Sequence, residues 1–195
     1  MTSTNLLDLL KGYPYLNRVK VGQILEKTGE TLNYWVKKLR FEKILLPLKN
    51  GLYVSSPFLL TLEGRPGEKE IYREYLANIL RYPSYVSLEY AASKYGLIPE
   101  GVFAVTSVTL KTPRAYQTAL GSFTYRNISE KLFFGYDYVK FVGKPVAIAR
   151  PGKALFDLLY FKKFPPMESL RINYGALSQA EKDYFDKLMK KYDHR

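Results

Sequence analysis

Between residues 19 and 55 the apolar positions recur twice at helical spacing and then change to short strand-like runs. Val21, Ile24 and Leu25 make the first stripe, Thr28-Gly29-Glu30 interrupts it, and a second stripe runs through Leu32, Trp35, Val36 and Leu39. At about 100° per residue these four share one face, which predicts a second helix beginning at Thr31 with Trp35 and its neighbours in a core. Tyr34, Lys37 and Lys38 then point away from that core, and Asn33 lies on the flank. Apolar runs at 44–48 and 52–54 follow, joined by Lys49-Asn50-Gly51. Asn-Gly is a hairpin signal because both residues tolerate positive φ. Helix, turn, helix and basic hairpin is the order of parts in a winged helix-turn-helix, a DNA-reading device.

The rest of the chain alternates less regularly. Leu6, Leu7, Leu9 and Leu10 predict an opening helix over 5–11, and Thr61-Leu62-Glu63-Gly64-Arg65-Pro66-Gly67 concentrates turn formers. A connector is therefore expected within 57–67, with a winged-helix domain at 1–60 and a second domain at 68–195. In that second part Ile71, Tyr75, Leu76 and Ile79 predict a helix over 68–81. Ser87 is placed to cap another, with Leu88, Ala91, Ala92 and Tyr95 inward and Gly96 closing it. Strands are expected at 102–110, 116–120, 123–128, 131–138 and 145–149. Helices return at 153–161 and 178–192, the latter opened by Ser178 and Glu181 at capping-box spacing. The fold class expected is α+β: an N-terminal winged helix-turn-helix followed by a mixed domain with an antiparallel sheet and flanking helices.

Charge strengthens the first reading. Thirty Lys and Arg against 18 Asp and Glu give a net charge of +12, which favours a polyanionic partner. Residues 31–54 hold five bases and one acid, and residues 65–195 hold 21 bases and 13 acids. The candidate DNA-binding residues are Thr31, Asn33, Tyr34, Lys37 and Lys38 on the second helix and Lys49 and Asn50 on the hairpin. Asn33 and Tyr34 are suited to base readout, and the lysines to phosphates or guanine edges. Tyr53 fits two roles equally, beside DNA or packed beneath the hairpin.

Catalytic chemistry finds little material. There is no cysteine, and His194 is the single histidine, so neither a His-based triad nor a thiolate or multi-histidine metal site can be built. Arg150-Pro151-Gly152-Lys153 lacks the further glycine and the Ser or Thr of a phosphate loop. Asp157, four residues after Lys153, reads as a structurally paired carboxylate. No catalytic residue, metal or cofactor is expected, and the chain is read as a non-enzyme. The start lacks a basic, apolar leader and no run approaches the ~20 apolar residues of a membrane span, so a cytoplasmic protein is expected.

Several segments resemble one family. Tyr85-Val86-Ser87-Leu88-Glu89-Tyr90-Ala91-Ala92-Ser93-Lys94-Tyr95-Gly96-Leu97-Ile98 resembles a signature stretch of the AbiEi-type antitoxins of abortive-infection toxin-antitoxin pairs. Val105 to Thr109, Leu120 to Arg126, Leu132-Phe133-Phe134-Gly135-Tyr136 and the run from Val146 to Tyr160 are similar to further segments of it. Gly152 stands where that family usually has Glu. The resemblance implies a winged-helix domain that binds inverted repeats at its own promoter and represses it. It also implies a C-terminal domain that neutralises a nucleotidyltransferase-type toxin, so the partners expected are double-stranded operator DNA and a toxin protein or its nucleic-acid substrate. The alternatives are a solo winged-helix regulator without a toxin and a protein-binding antitoxin without DNA binding.

Overall fold

A computed structural model describes residues 3–192, so His194 lies outside the described residues. The protein is mixed α+β, with eight α-helices and two sheets among the described residues. It divides into two compact units, Met1–Lys69 with Tyr116–Leu120, and Glu70–Ala115 with Gly121–Arg195. No helix among the described residues is long and apolar enough to cross a membrane.

The first unit contains α1 (Ser3–Leu10), β1 (Leu16–Asn17), α2 (Arg18–Leu25), α3 (Gly29–Phe41), β2 (Leu45–Lys49), β3 (Leu52–Ser55) and α4 (Ser56–Leu60). Its sheet is antiparallel in the order β1-β3-β2, with Leu16 opposite Tyr53 and Leu45 opposite Ser55. Asn17 caps α2 by accepting from the Lys20 amide at 2.8 Å, and Glu26 ends it in the left-handed region at φ 54°. Helix α3 starts at Gly29 with Thr28 in the cap position, so Thr31 lies inside the first turn and does not cap it. Leu32, Val36 and Leu39 are buried from α3, each such side chain contributing about 1.5–3 kcal/mol relative to exposure. Trp35, expected with them, is only half-buried. Tyr53 is buried, which resolves its two readings in favour of packing beneath the hairpin.

Where a connector was expected from residue 57, the chain forms α4. Ser55 Oγ accepts from the Phe58 amide at 3.2 Å and donates to the Leu10 carbonyl at 3.1 Å, while Pro57 and Phe58 are buried. Proline at a helix start loses no hydrogen bond, which is why this one continues the fold. Only residues 63–67 are continuously exposed.

The elements that follow are α5 (Glu68–Leu80), β4 (Ser84–Val86), α6 (Leu88–Lys94), β5 (Val105–Thr109), β6 (Arg114–Thr118), β7 (Gly121–Asn127), β8 (Tyr136–Phe141), β9 (Lys144–Ala149), α7 (Pro151–Phe161) and α8 (Gln179–Tyr192). Within the second unit the strands run β7-β5-β4-β9-β8. Pairs β4–β9 and β5–β7 are parallel, so the sheet is mixed and not antiparallel as expected. One cause is β4, a three-residue strand not expected from the sequence, which lies between β5 and β9; the other is that the chain passes through β6 before β7 returns beside β5. The expected strand at 131–138 is instead a 3₁₀ turn, Glu130–Leu132, followed by Gly135 at φ +75°, and β8 begins only at Tyr136. Helix α5 buries Tyr72, Tyr75, Leu76 and Leu80, leaving Ile71 and Ile79 half-buried. Its Asn78 accepts from the Ala147 amide at 2.6 Å, tying the helix to β9.

Candidate nucleic-acid interface

Opposite its buried stripe, α3 carries Tyr34, Lys37 and Lys38 in solvent, with exposed Thr31 and Arg40 on its flanks. Tyr34 is 62% exposed, a large aromatic surface for a side chain with no core role. Its ring meets Trp35 edge-on at 6.1 Å, and Lys38 Nζ stands 4.9 Å from the Trp35 ring centre. Trp35 thus serves as a shelf for Tyr34 and Lys38 at the border of the exposed face, a place the four-residue stripe did not distinguish from the core. Asn33 is half-buried, and its Oδ1 accepts from the Arg18 guanidinium at 2.6 Å. Arg18, at the start of α2, was not singled out in the sequence because no local spacing links positions 18 and 33.

The β2–β3 hairpin turns through Asn50 and Gly51, with Lys49 paired to Leu52 in register. Lys49 and Asn50 are exposed, and of the two turn residues only Gly51 takes positive φ, at +71°. The Gly51 carbonyl accepts from the Arg18 amide at 2.9 Å, so the hairpin end is fastened to the start of α2. Of the sequence candidates, the helix and hairpin sets both lie on the surface of one unit; the structure adds Arg18, Trp35 and Arg40.

In the second unit, residues of β4, α7 and 132–136 meet around a buried ion pair. Lys153 and Asp157, one turn apart on α7, are both fully buried and pair at 2.5 Å. Asp157 Oδ2 accepts from Tyr85 Oη at 2.9 Å and Ser87 Oγ at 2.8 Å, and Lys153 also donates to the Leu132 carbonyl at 2.9 Å. Phe134 and Phe156 rings flank the ammonium at 4.9 and 5.0 Å, and Tyr136 stacks on Tyr85 at 4.9 Å. Burial pushes the Asp157 carboxyl above the usual range, against Lys153, Ser87 and Tyr85, which hold it down. Ser87, expected as a helix cap, occupies the cap position of α6 but gives its hydroxyl to Asp157.

Gly152 sits at the start of α7, where its amide donates to Glu181 Oε2 at 2.8 Å; Glu181 Oε1 accepts from Arg150 Nε and a terminal nitrogen at 3.0 and 2.6 Å. A Cβ on Gly152 would stand 2.7 Å from the Glu181 carbonyl oxygen. Glu181 therefore places a carboxylate at the positive end of α7 from a different helix. The expected capping box is half formed: the Glu181 amide reaches Ser178 Oγ at 3.4 Å, while its side chain serves α7. Among the described residues no group of three or more His, Asp or Glu could hold a metal ion. No protein family profile and no curated protein sequence matches this chain.

Proposed function

We propose that the first unit is a winged helix-turn-helix that reads duplex DNA, with α2 and α3 as its helix pair and the β2–β3 hairpin as its wing. The observation that carries this reading is α3 itself: one face is buried through Leu32, Val36 and Leu39, while the other holds Tyr34, Lys37 and Lys38 in solvent. The element order α1-β1-α2-α3-β2-β3 supports it. In the proposed complex the lysines meet phosphates, Asn33 and Tyr34 approach base edges near the helix start with Thr31, and Lys49 and Asn50 contact the flanking backbone.

The protein is then a cytoplasmic transcriptional repressor of its own promoter and, on the AbiEi resemblance, the antitoxin of a nucleotidyltransferase-type toxin, without enzymatic activity of its own. Three of the resembling segments meet at one network, through Tyr85 and Ser87, Leu132 and Tyr136, and Lys153 and Asp157, which supports that part by giving them a common structural reason. Fluorescence anisotropy on the DNA upstream of the gene tests the DNA reading. The double change Lys37→Ala and Lys38→Ala should weaken binding by about tenfold or more and lower the slope of log K against log salt by about two. Unchanged affinity and slope would remove α3 from the interface. Co-expression of the full chain with a neighbouring toxin tests the second part; toxicity that persists despite soluble protein would leave a solo regulator.

A further inference from the structure

We propose that β8 pairs antiparallel with β8 of a second copy of this chain, joining two mixed sheets into one across a two-fold axis at Tyr138. Strand β8 ends its sheet, with β9 on one side and no strand of the described residues on the other. Its pairing with β9 is continuous from Tyr136 opposite Ala149 to Phe141 opposite Lys144, and β8 contains no proline. The edge strand β2 of the first unit, by contrast, is interrupted by Pro47 and a register shift beside it. Native proteins blunt free edges with such devices, and a regular edge that lacks them is a template for another strand. Asp137, Tyr138, Val139 and Lys140 are all exposed, Tyr138 by 65% and Val139 by 40%, so neither face of the middle of β8 is covered.

The strand is complementary to itself. Val142 and Gly143 form a two-residue turn with φ of 47° and 71°, so the flanking Phe141 and Lys144 are a hydrogen-bonded pair. By alternation, Tyr136, Tyr138 and Lys140 point their N–H and C=O groups away from β9. The Arg150 amide donates to the Gly135 carbonyl at 3.0 Å, which keeps the same alternation at the other end. A two-fold axis at Tyr138 sets Tyr138 opposite its own copy and Tyr136 opposite Lys140, so every outward residue of one strand meets an outward residue of the other, each pair exchanging two hydrogen bonds. An axis at Val139 would leave Tyr136 facing the turn. In the Tyr138 register Lys140 reaches the Tyr136 and Tyr138 rings of the other copy, which meet edge-on at 5.8 Å, and no like charges stand directly opposite. Residues 136–141 hold one acid and one base, so the pairing strand is neutral within a chain of net charge +12.

Sedimentation equilibrium of the full chain from about 1 to 300 µM tests this, and a reversible dimer with Kd in the micromolar range is expected for an interface of this small size. Tyr138→Pro removes an outward amide and no bond to β9, so it should weaken the dimer by at least about tenfold while the fold persists. The chain has no cysteine, which permits a second measurement. Opposed Cα atoms in a hydrogen-bonded pair lie about 5.5 Å apart, within reach of a disulfide. Under mild oxidation Tyr138→Cys should therefore cross-link to its own copy at least about tenfold faster than Asp137→Cys, which faces Val139. A chain that stays monomeric throughout overturns the proposal and leaves the edge to a strand of another protein. Equal cross-linking of the two cysteines, or a folded Tyr138→Pro that dimerises as wild type does, overturns it as well. None of these readouts involves DNA.

Discussion

On α3 of the first unit, Lys37 and Lys38 hold their ammonium groups in solvent, whereas on α7 of the second unit Lys153 is wholly buried against Asp157, a carbonyl and two aromatic rings. The same side chain is a surface charge in one place and a structural strut in the other. The net charge of +12 therefore mixes two populations, and only the exposed one is available to a polyanion. Burying an ion pair gains little net stability, but removing one partner leaves a charge with no solvent and no counter-charge. The two helices should accordingly respond to substitution in opposite ways, α7 through stability and α3 through binding.

The largest effect expected is from Asp157→Ala, which strands Lys153 and should cost about 3–5 kcal/mol in urea unfolding. A loss below about 1 kcal/mol would mean that the pair is not holding the core. Lys153→Met should cost less, because Asp157 keeps its Tyr85 and Ser87 donors and can remain protonated. With its folded pKa raised, the acid in that variant contributes stability that is full below the unfolded value of about 3.9 and is lost as pH rises through the folded one. Lys153→Met should thus lose more stability, relative to wild type, at about pH 8 than at about pH 5; the reverse trend in paired urea titrations would refute the assignment.

Gly152→Glu comes next. Its Cβ would press on the Glu181 backbone, and a cost of about 1–3 kcal/mol is expected by thermal unfolding. A gain in stability would show that α8 moves aside freely. Glu181→Gln weakens the tie to Arg150 and the start of α7 and should cost about 1 kcal/mol, with high salt narrowing the difference from wild type. The smallest effect on stability belongs to Lys37→Ala with Lys38→Ala, within about 0.5 kcal/mol, at the same time as DNA affinity falls. A marked loss of stability there would erase the contrast between the two helices.

The parts of this fold that were legible in the sequence are those whose side chains alternate between water and core. Leu32, Val36 and Leu39 repeat at helical spacing and are buried as the period requires. The Lys49-Asn50-Gly51 signal falls on the observed hairpin. Trp35 was misplaced because its angle puts it at the edge of the stripe, where a ring can lie over the surface beneath Lys38. Strand β4 gave no signal, since three residues buried together show no alternation, and without it the parallel β4–β9 pairing could not be foreseen. Leu132-Phe133-Phe134 looks like a strand by composition, yet Gly135 turns the backbone and the aromatic rings gather around Lys153. Partners far apart in sequence, such as Glu181 with Gly152 or Arg18 with Asn33, leave no local trace at all.

The Arg18–Asn33 bond has a consequence for base preference in the proposed complex. An asparagine recognises adenine by offering both halves of its amide, the oxygen to the exocyclic amine and the nitrogen to N7. Here one lone pair of the oxygen is taken by Arg18 at 2.6 Å, which leaves the NH₂ half and a single further acceptor position to be offered. Asn33 is then biased toward donating, to guanine O6 or N7 or to thymine O4, and is less free to accept from the amine that singles out adenine. Operators carrying each base in turn beneath the start of α3 should rank guanine and thymine above adenine, and Arg18→Ala, by freeing the amide oxygen, should shift that ranking toward adenine.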